Sequence, residues 1–300
     1  MDHTVVITNP ASGRGRGARI LPSVRAAFRA VGITDLRTTQ RAGDEATLVA
    51  RALDDGATTI VAIGGDGTWS KCATALACSG VDARIAFVQG GTGNDFAKNL
   101  PAPSRDLHAM ARLIAGPCTE WRVDMGRIDS GPSSHWFLNV AGFGFDVAVL
   151  EDTQRGGPLS GNAVYLAASL KHLLRYPGFE LVNHAISPER RYSMLTVFSN
   201  GLNFGGAFRI APHAMVTDGE IDCVQIGDIR GLARIPLFAR ALRGAHLSHP
   251  AVLSRRAARF ALRFSTPPDF ETDGELCHAA ESEVVVHAVR GALRVVAAAP

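Results

Sequence analysis

Thr58-Thr59-Ile60-Val61-Ala62-Ile63-Gly64-Gly65-Asp66-Gly67-Thr68 is the stretch on which the fold class turns. Residues 58–63 are uncharged and rich in β-branched side chains, the signature of a buried strand. Three glycines and a carboxylate follow at its carboxyl end. Glycine lets backbone approach a phosphate closely, and the start of a following helix offers free N–H groups to an anion. A carboxylate in that position repels phosphate unless a cation intervenes, so Asp66 points to a Mg²⁺-nucleotide rather than to bare phosphate. The competing reading of the same residues is an ordinary strand–helix turn capped by Asp66.

The pattern repeats outward. Thr4–Thr8 is a strand candidate, followed by the glycine-rich loop 9–17 and a helix over Ala18–Val31. Asp44 can cap a helix carrying Leu48, Val49, Ala52 and Leu53 at helical spacing. Arg84–Val88 is another strand, again ending in glycines (Gly90, Gly91, Gly93), and Leu107, Met110, Ala111 and Ile114 mark a further helix. Strand, glycine turn and helix in alternation predict a parallel sheet with helices on its faces. After about Asp124 the texture changes. Glu120–Ile128, Trp136–Ala141, Phe179–His184, Tyr192–Ser199 and Glu220–Ile226 read as strands, mostly separated by turns, with one helix expected over Asn162–Arg175. The expected architecture is therefore α/β: a Rossmann-like, parallel-sheet nucleotide domain over 1–125, then a mainly antiparallel β-sandwich over 126–290. The apolar run near 291–300 is free to complete the first domain.

Composition narrows the class. The 300 residues are 46% hydrophobic and 20% charged, which is globular, and no apolar run approaches a membrane span. The first residues lack the basic and apolar regions of a secretory signal, and five scattered cysteines form no CxxC pair. Neither a disulfide scaffold nor a zinc site is expected, and a reduced, cytoplasmic setting is. A net charge of +3 excludes a nucleic-acid polycation as a whole-molecule character, and only three of 31 basic residues are lysine (Lys71, Lys98, Lys171). His246 and His249 have Pro250 beside them and no third ligand, and HExxH, GxSxG and the Walker A loop are absent.

Taken together, Asn9–Gly13 (NPASG), Gly64–Thr68 (GGDGT), Gly91–Ala97 (GTGNDFA), Phe137–Gly144 (FLNVAGFG), Asn203–Phe208 (NFGGAF), Ala211–Gly219 (APHAMVTDG) and Asp273-Gly274-Glu275 resemble the bacterial diacylglycerol kinases and related soluble lipid kinases. That family shares its catalytic domain with sphingosine and ceramide kinases, and GGDGT itself is also found in NAD kinases. The resemblance implies ATP binding by Asn9, Pro10, Ala11, Ser12 and Gly13, by Thr39, by Gly65, Asp66, Gly67, Thr68, Trp69, Ser70 and Lys71, and by Thr92. It implies Glu275 as general base, with Asp66 and Asp124 in the catalytic network; Lys171 is the match for a lysine of that network. It further implies a structural metal in the second domain, held by the Asp218 carboxylate and the Met215 and Glu220 carbonyls. One departure stands out: the family follows GGDGT with an apolar residue, Asn and Glu, whereas this chain has Trp69-Ser70-Lys71, so an acid has become a base.

The expected activity is transfer of a phosphoryl group from ATP, with Mg²⁺, to the hydroxyl of diacylglycerol or a related lipid. A NAD kinase-like enzyme and a non-catalytic lipid or nucleotide sensor are the rivals. GTGNDFA and the NFGGAF–APHA–DG run speak against the first, and the presence of Asp66 and Glu275 against the second. The expected partner is a membrane lipid, reached by peripheral contact with an anionic surface, and not nucleic acid; the sequence fixes no oligomeric state. Ile229–Pro268 holds eight arginines (230, 234, 240, 243, 255, 256, 259, 263) and no Asp or Glu, interleaved with apolar residues, a pattern suited to anionic lipid.

Overall fold

The computed structural model describes residues 3–90, 94–100, 106–154, 169, 172–227 and 229–298. The chain divides into two compact units, Met1–Val123 with Gly291–Pro300, and Asp124–Arg290.

In the first unit, β1 (Thr4–Thr8), β2 (Leu36–Thr38), β3 (Thr59–Gly64) and β4 (Arg84–Gln89) pair in parallel, in the order β4-β3-β1-β2. Arg294 and Val295, in the last part of β15 (Glu283–Ala297), add a parallel pairing to Arg84 and Ile85 of β4. The alternation of strand side chains sorts the helices. Val6, Val61, Ile63, Ala86 and Val88 pack with Val24, Ala27 and Phe28 of α1 (Ser12–Arg29) and with Met110, Ala111 and Ile114 of α4 (Leu107–Ala115). The alternate residues Val5, Ile7, Ile60, Ala62, Ile85 and Phe87 are also buried. α2 (Asp44–Asp54) and α3 (Asp66–Ser79) pack on each other. A strand buried on both faces explains why residues 59–64 carry no polar alternation. Asp44, expected as a helix cap, instead turns its carboxylate back to the N–H groups of Gln40 (2.9 Å) and Arg41 (3.0 Å), and Gly43, at φ 89°, takes the cap position.

The second unit is antiparallel, with strand neighbours in the order β14 (Glu275–His278), β13 (Asp269–Thr272), β7 (Val140–Gly144), β9 (Ser187–Ser199), β8 (Phe179–Asn183), β12 (Arg259–Phe264) and the first part of β15. β10 (Ile221–Gly227) pairs with β9 and β11 (Val252–Ala257), and β5 (Thr119–Ser130) pairs with β6 (Ser133–Phe137). Period-two alternation feeds two cores. Ile221 and Cys223 of β10 join Phe143, Phe198, Phe260, Phe264 and Phe270, while Val224 and Ile226 join Val140, Met194, Val197 and Val252. Phe145 and Val149 of α5 (Phe145–Gln154) and Leu237 of α6 (Arg234–Ala241) cover the latter core. The single strand expected over Trp136–Ala141 is two strands broken at Leu138–Asn139. The break has a cause: the Asp273 carboxylate accepts the N–H groups of Leu138 (2.6 Å), Asn139 (2.9 Å) and Val140 (3.0 Å), which takes them out of any sheet ladder. The helix expected over Asn162–Arg175 falls mostly outside the described residues.

Candidate functional site

Leaving β1, the chain crosses to β2 on one side and returns to β3 on the other, so the strand order reverses between β1 and β3. In open parallel sheets, ligands bind outside the carboxyl ends of the strands at such a reversal. The sequence-predicted loops of the first unit leave the sheet there. Asn9, immediately after β1, donates through Nδ2 to Thr68 Oγ1 (3.2 Å), just after β3, and to Glu45 Oε1 (2.9 Å) at the start of α2. Its Oδ1 accepts the Ala11 N–H (2.9 Å) and so shapes the turn Pro10–Ser12. Gly13, Arg14 and Gly15 then follow at φ 56°, 57° and 82°. The Gly15 N–H turns back to the Ala11 carbonyl (3.3 Å), which closes this glycine-rich turn ahead of the rest of α1; turns of this kind can offer backbone N–H groups to an anion. The Ser12 hydroxyl lies buried beside this turn with no hydrogen-bond partner among the described residues.

The second loop stands next to the first. Gly65 is the extended residue before α3, and Asp66 occupies its first turn, with Oδ1 accepting the Phe96 N–H at 3.2 Å. Thr39, buried at the end of β2, donates its N–H to Thr8 (3.0 Å). Trp69, assigned to the ATP segment by resemblance, turns its ring fully into the core against Phe87, 5.2 Å between centroids, and leaves only backbone for a ligand. Ser70 and Lys71 are half-buried on α3, and Gly67 is half-buried ahead of them. Thr92 and Lys171 lie outside the described residues. One residue that spacing does not single out belongs to this cluster, Glu45, buried against Asn9; Asn94, after β4, is buried at φ 51° two residues before Phe96, whose N–H meets Asp66. The left-handed Asn94 is legible in hindsight, since Asn tolerates that conformation better than other non-glycine residues.

In the second unit, the Asp273-Gly274 turn, both residues left-handed (φ 49° and 86°), joins β13 to β14, with Thr272 opposite Glu275. Glu275 is exposed at the turn. The three N–H groups on the Asp273 carboxylate fix this hairpin to the break between β6 and β7. Asn200 continues the network, its Nδ2 donating to the carbonyls of Leu138 and Asp124, both at 2.8 Å. The Asp124 carboxylate is buried and accepts the Gly219 N–H at 2.6 Å. Four motifs far apart in sequence thus share one polar network.

Beneath the turn lies a pair that the sequence does not show. Glu271 sits opposite Gly142 in the β13–β7 register, and a side chain at Gly142 would meet the Asp146 carboxylate, so the two acids share one buried space. Asp146 Oδ1 accepts the Val147 N–H (2.9 Å) and Glu271 Oε2 the Gly274 N–H (2.7 Å); among the described residues, Asp146 Oδ2 and Glu271 Oε1 have no partner. Burial pushes the Asp146 carboxyl up to about 7. Burial also drives Glu271 upward, and the charges of Asp146 and Asp273 add to it.

The Asp218 turn carries its own charge cluster. Asp218 Oδ1 accepts the Glu220 N–H at 3.0 Å, and Arg256 approaches Asp218 (3.6 Å), Glu220 (3.9 Å) and Asp222 (3.6 Å). Burial raises the Asp222 carboxyl, Arg256 opposes that rise, and Asp218 and Glu220 reinforce it. No cluster of three or more His, Cys, Asp or Glu side chains suited to a metal occurs among the described residues. An ion here would therefore draw on backbone oxygen. The donors nonetheless fit a hard divalent cation: one carboxylate and two carbonyls are oxygen ligands, and three acids facing one guanidinium leave a net negative site. Arg256 stays exposed while its guanidinium faces these three acids.

Residues 3–128 match the diacylglycerol kinase catalytic domain, and residues 139–297 match the YegS C-terminal NAD kinase beta sandwich-like domain. The chain is 35% identical over 240 residues to a Xanthomonas euvesicatoria protein named "Probable lipid kinase YegS-like", covering 75% of this chain and 73% of that one. It is 30% identical over 255 residues to a diacylglycerol kinase of Mycobacterium tuberculosis, covering 84% and 82% of the two chains. In fold it resembles a diacylglycerol kinase from Bacillus anthracis, with a TM-score of 0.74 at 19% identity over 99% of this chain and 97% of that one.

Proposed function

As the chain belongs to the lipid kinase family defined by the diacylglycerol kinase catalytic domain, we propose that it transfers the terminal phosphoryl group of ATP to the hydroxyl of diacylglycerol or a closely related lipid, giving phosphatidic acid or its analogue. The observation that carries this reading is the meeting of the Asn9, Glu45 and Thr68 side chains at the strand-order reversal, beside the left-handed 13–15 run and the head of α3. Phosphate recognition needs backbone N–H groups and a helix start rather than a particular side chain, and both are present in one place.

In this reading the 9–15 loop cradles nucleotide phosphate, Thr39, Thr68 and Thr92 contribute hydroxyls, and Asp66 orients the nucleotide-bound Mg²⁺. When bound, that ion supplies neutralisation of the charge spread over the transferring oxygens. Glu275, held at an exposed hairpin turn by the Asp273 network, takes the proton from the lipid hydroxyl as it attacks. Asp124 and Lys171 complete the network. A second ion at the Asp218 turn, held by Asp218 with the Met215 and Glu220 carbonyls, shapes the second unit. The lipid substrate implies peripheral work at a membrane surface from the cytoplasm. No helix among the described residues is long and apolar enough to cross a bilayer.

The test is incubation with γ-labelled ATP, Mg²⁺ and a mixed lipid extract, with NAD supplied in parallel. Label in a phosphatidic-acid-like product supports the proposal. Label only in NADP, or in neither, defeats it.

A further inference from the structure

The segment Arg230–Arg243 is built inside out. Arg234 is buried and donates to the carbonyls of Ile229, Leu173 (2.8 Å) and Tyr176 (2.9 Å). Its apolar neighbours point the other way: Leu232 is 72% exposed, more than any other large apolar side chain among the described residues, and Ile235 is 46% exposed. Ile235, Pro236 and Ala239 are exposed at successive positions of α6, and Leu232 lies in the 3₁₀ turn Gly231–Ala233 that leads into it, so these residues continue one exposed apolar stripe. Leu237 and Ala241 on the opposite side are buried in the unit. Exposed Arg230, Arg240 and Arg243 border the stripe, and no acidic residue occurs from Ile229 to Pro268. Single exposed apolar residues are ordinary on a protein surface. A contiguous apolar stripe with a basic rim, anchored by a buried arginine, is the build of a contact surface.

We infer that the tip formed by Leu232 and Ile235, ringed by Arg230, Arg240 and Arg243, is the element that inserts into the outer layer of an anionic bilayer. The chemistry selects this occupant. Arginines favour lipid phosphate and anionic headgroups, while the leucine and isoleucine gain by leaving water for the acyl boundary just beneath. The inference rests on the lipid-kinase reading for its purpose, but its geometry is independent of it. It also moves the membrane face away from Arg255 and Arg256, within the arginine-rich run marked by the sequence pattern, because Arg256 is occupied by Asp218, Glu220 and Asp222.

The experiment compares wild type, Leu232→Glu, Ile235→Glu and Arg255→Glu in sedimentation with vesicles of phosphatidylcholine, with and without phosphatidylglycerol. Leu232→Trp reports insertion by its fluorescence. Each glutamate on the stripe is expected to weaken binding to the anionic vesicles by about tenfold or more, with Arg255→Glu much less affected. The emission of the Leu232→Trp variant should shift to the blue on those vesicles and be quenched by brominated acyl chains. Activity on detergent-dispersed lipid should be unchanged in all of them. Unaltered sedimentation of the glutamate variants, an emission that does not move, or a change of oligomeric state in the variants would each overturn the inference, the last by giving the stripe to a second copy of the chain. Kinase activity without vesicle binding would sink the insertion element alone. Vesicle insertion without phosphorylation of any lipid would sink the kinase reading alone.

Discussion

Asp146→Asn is the most direct probe of the buried acid pair beneath the Asp273-Gly274-Glu275 turn. In the folded chain the Asp146 carboxyl titrates near 7 because burial disfavours its charged form. Unfolded, it returns toward the ordinary aspartate value of 3.8. Between these values the native state holds a proton that the unfolded chain has released, so stability falls as pH rises and levels off above the folded value. From about pH 5 to about pH 8 that difference costs the wild type on the order of a few kcal/mol, a loss that belongs to the Asp146–Glu271 pair together. Asparagine is nearly isosteric. It keeps the acceptor for the Val147 N–H and carries no charge into the space shared with Glu271. Urea unfolding at fixed ionic strength, repeated across that range, should show a steep decline for wild type and a shallower one for Asp146→Asn, in which buried Glu271 alone still holds a proton. The variant should be the more stable protein at the alkaline end. Parallel curves, or a variant less stable throughout, would refute the argument that burial keeps the Asp146 carboxyl protonated in the folded chain.

Asp66→Ala should cut lipid phosphorylation by about 10²-fold or more and weaken Mg·ATP binding by calorimetry, with Tm nearly unchanged; a rate above about a tenth of wild type would remove Asp66 from the proposed mechanism. Glu275→Gln should lower kcat by about 10²–10⁴-fold with ATP affinity intact, because the side chain is exposed and the hairpin is held by Asp273 rather than by Glu275; a normal kcat returns Glu275 to the role of a turn residue. Chelation should lower the Tm of wild type and leave Asp218→Ala unmoved, whereas Arg256→Gln, which frees three carboxylates from their guanidinium, should enlarge the rise in Tm on adding Mg²⁺ or Ca²⁺. Identical melting with and without ions in all three proteins would falsify an ion at this turn.

Local patterns were enough for the elements of the first unit. Residues 59–64 are a strand because an uncharged β-branched run has no polar face to expose, and the loop after them turns where the glycines stand. The resemblance of short motifs marked Asn9, Asp66, Thr68, Asp218 and Glu275 as candidates, since those residues stand within short runs that can be matched one by one. Where the pattern was local but the partner distant, the place of the side chain was not legible. Trp69 stands in the loop that resembles an ATP segment, but its ring packs in the core against Phe87, and Asp44 reads as a helix cap but binds the preceding turn. Trp136–Ala141 reads as one strand because nothing within it reveals that a carboxylate far along the chain takes three of its N–H groups. The arginine-rich run shows the same division. Composition located its charge, but only packing could decide that Arg234 is buried, that Arg256 faces acids, and that Leu232 and Ile235 face outward. The Asp146–Glu271 pair had no trace in the one-dimensional pattern. Burial and cross-strand register are properties of the assembled chain, and they alone bring two carboxyl groups together out of water and change what each can do.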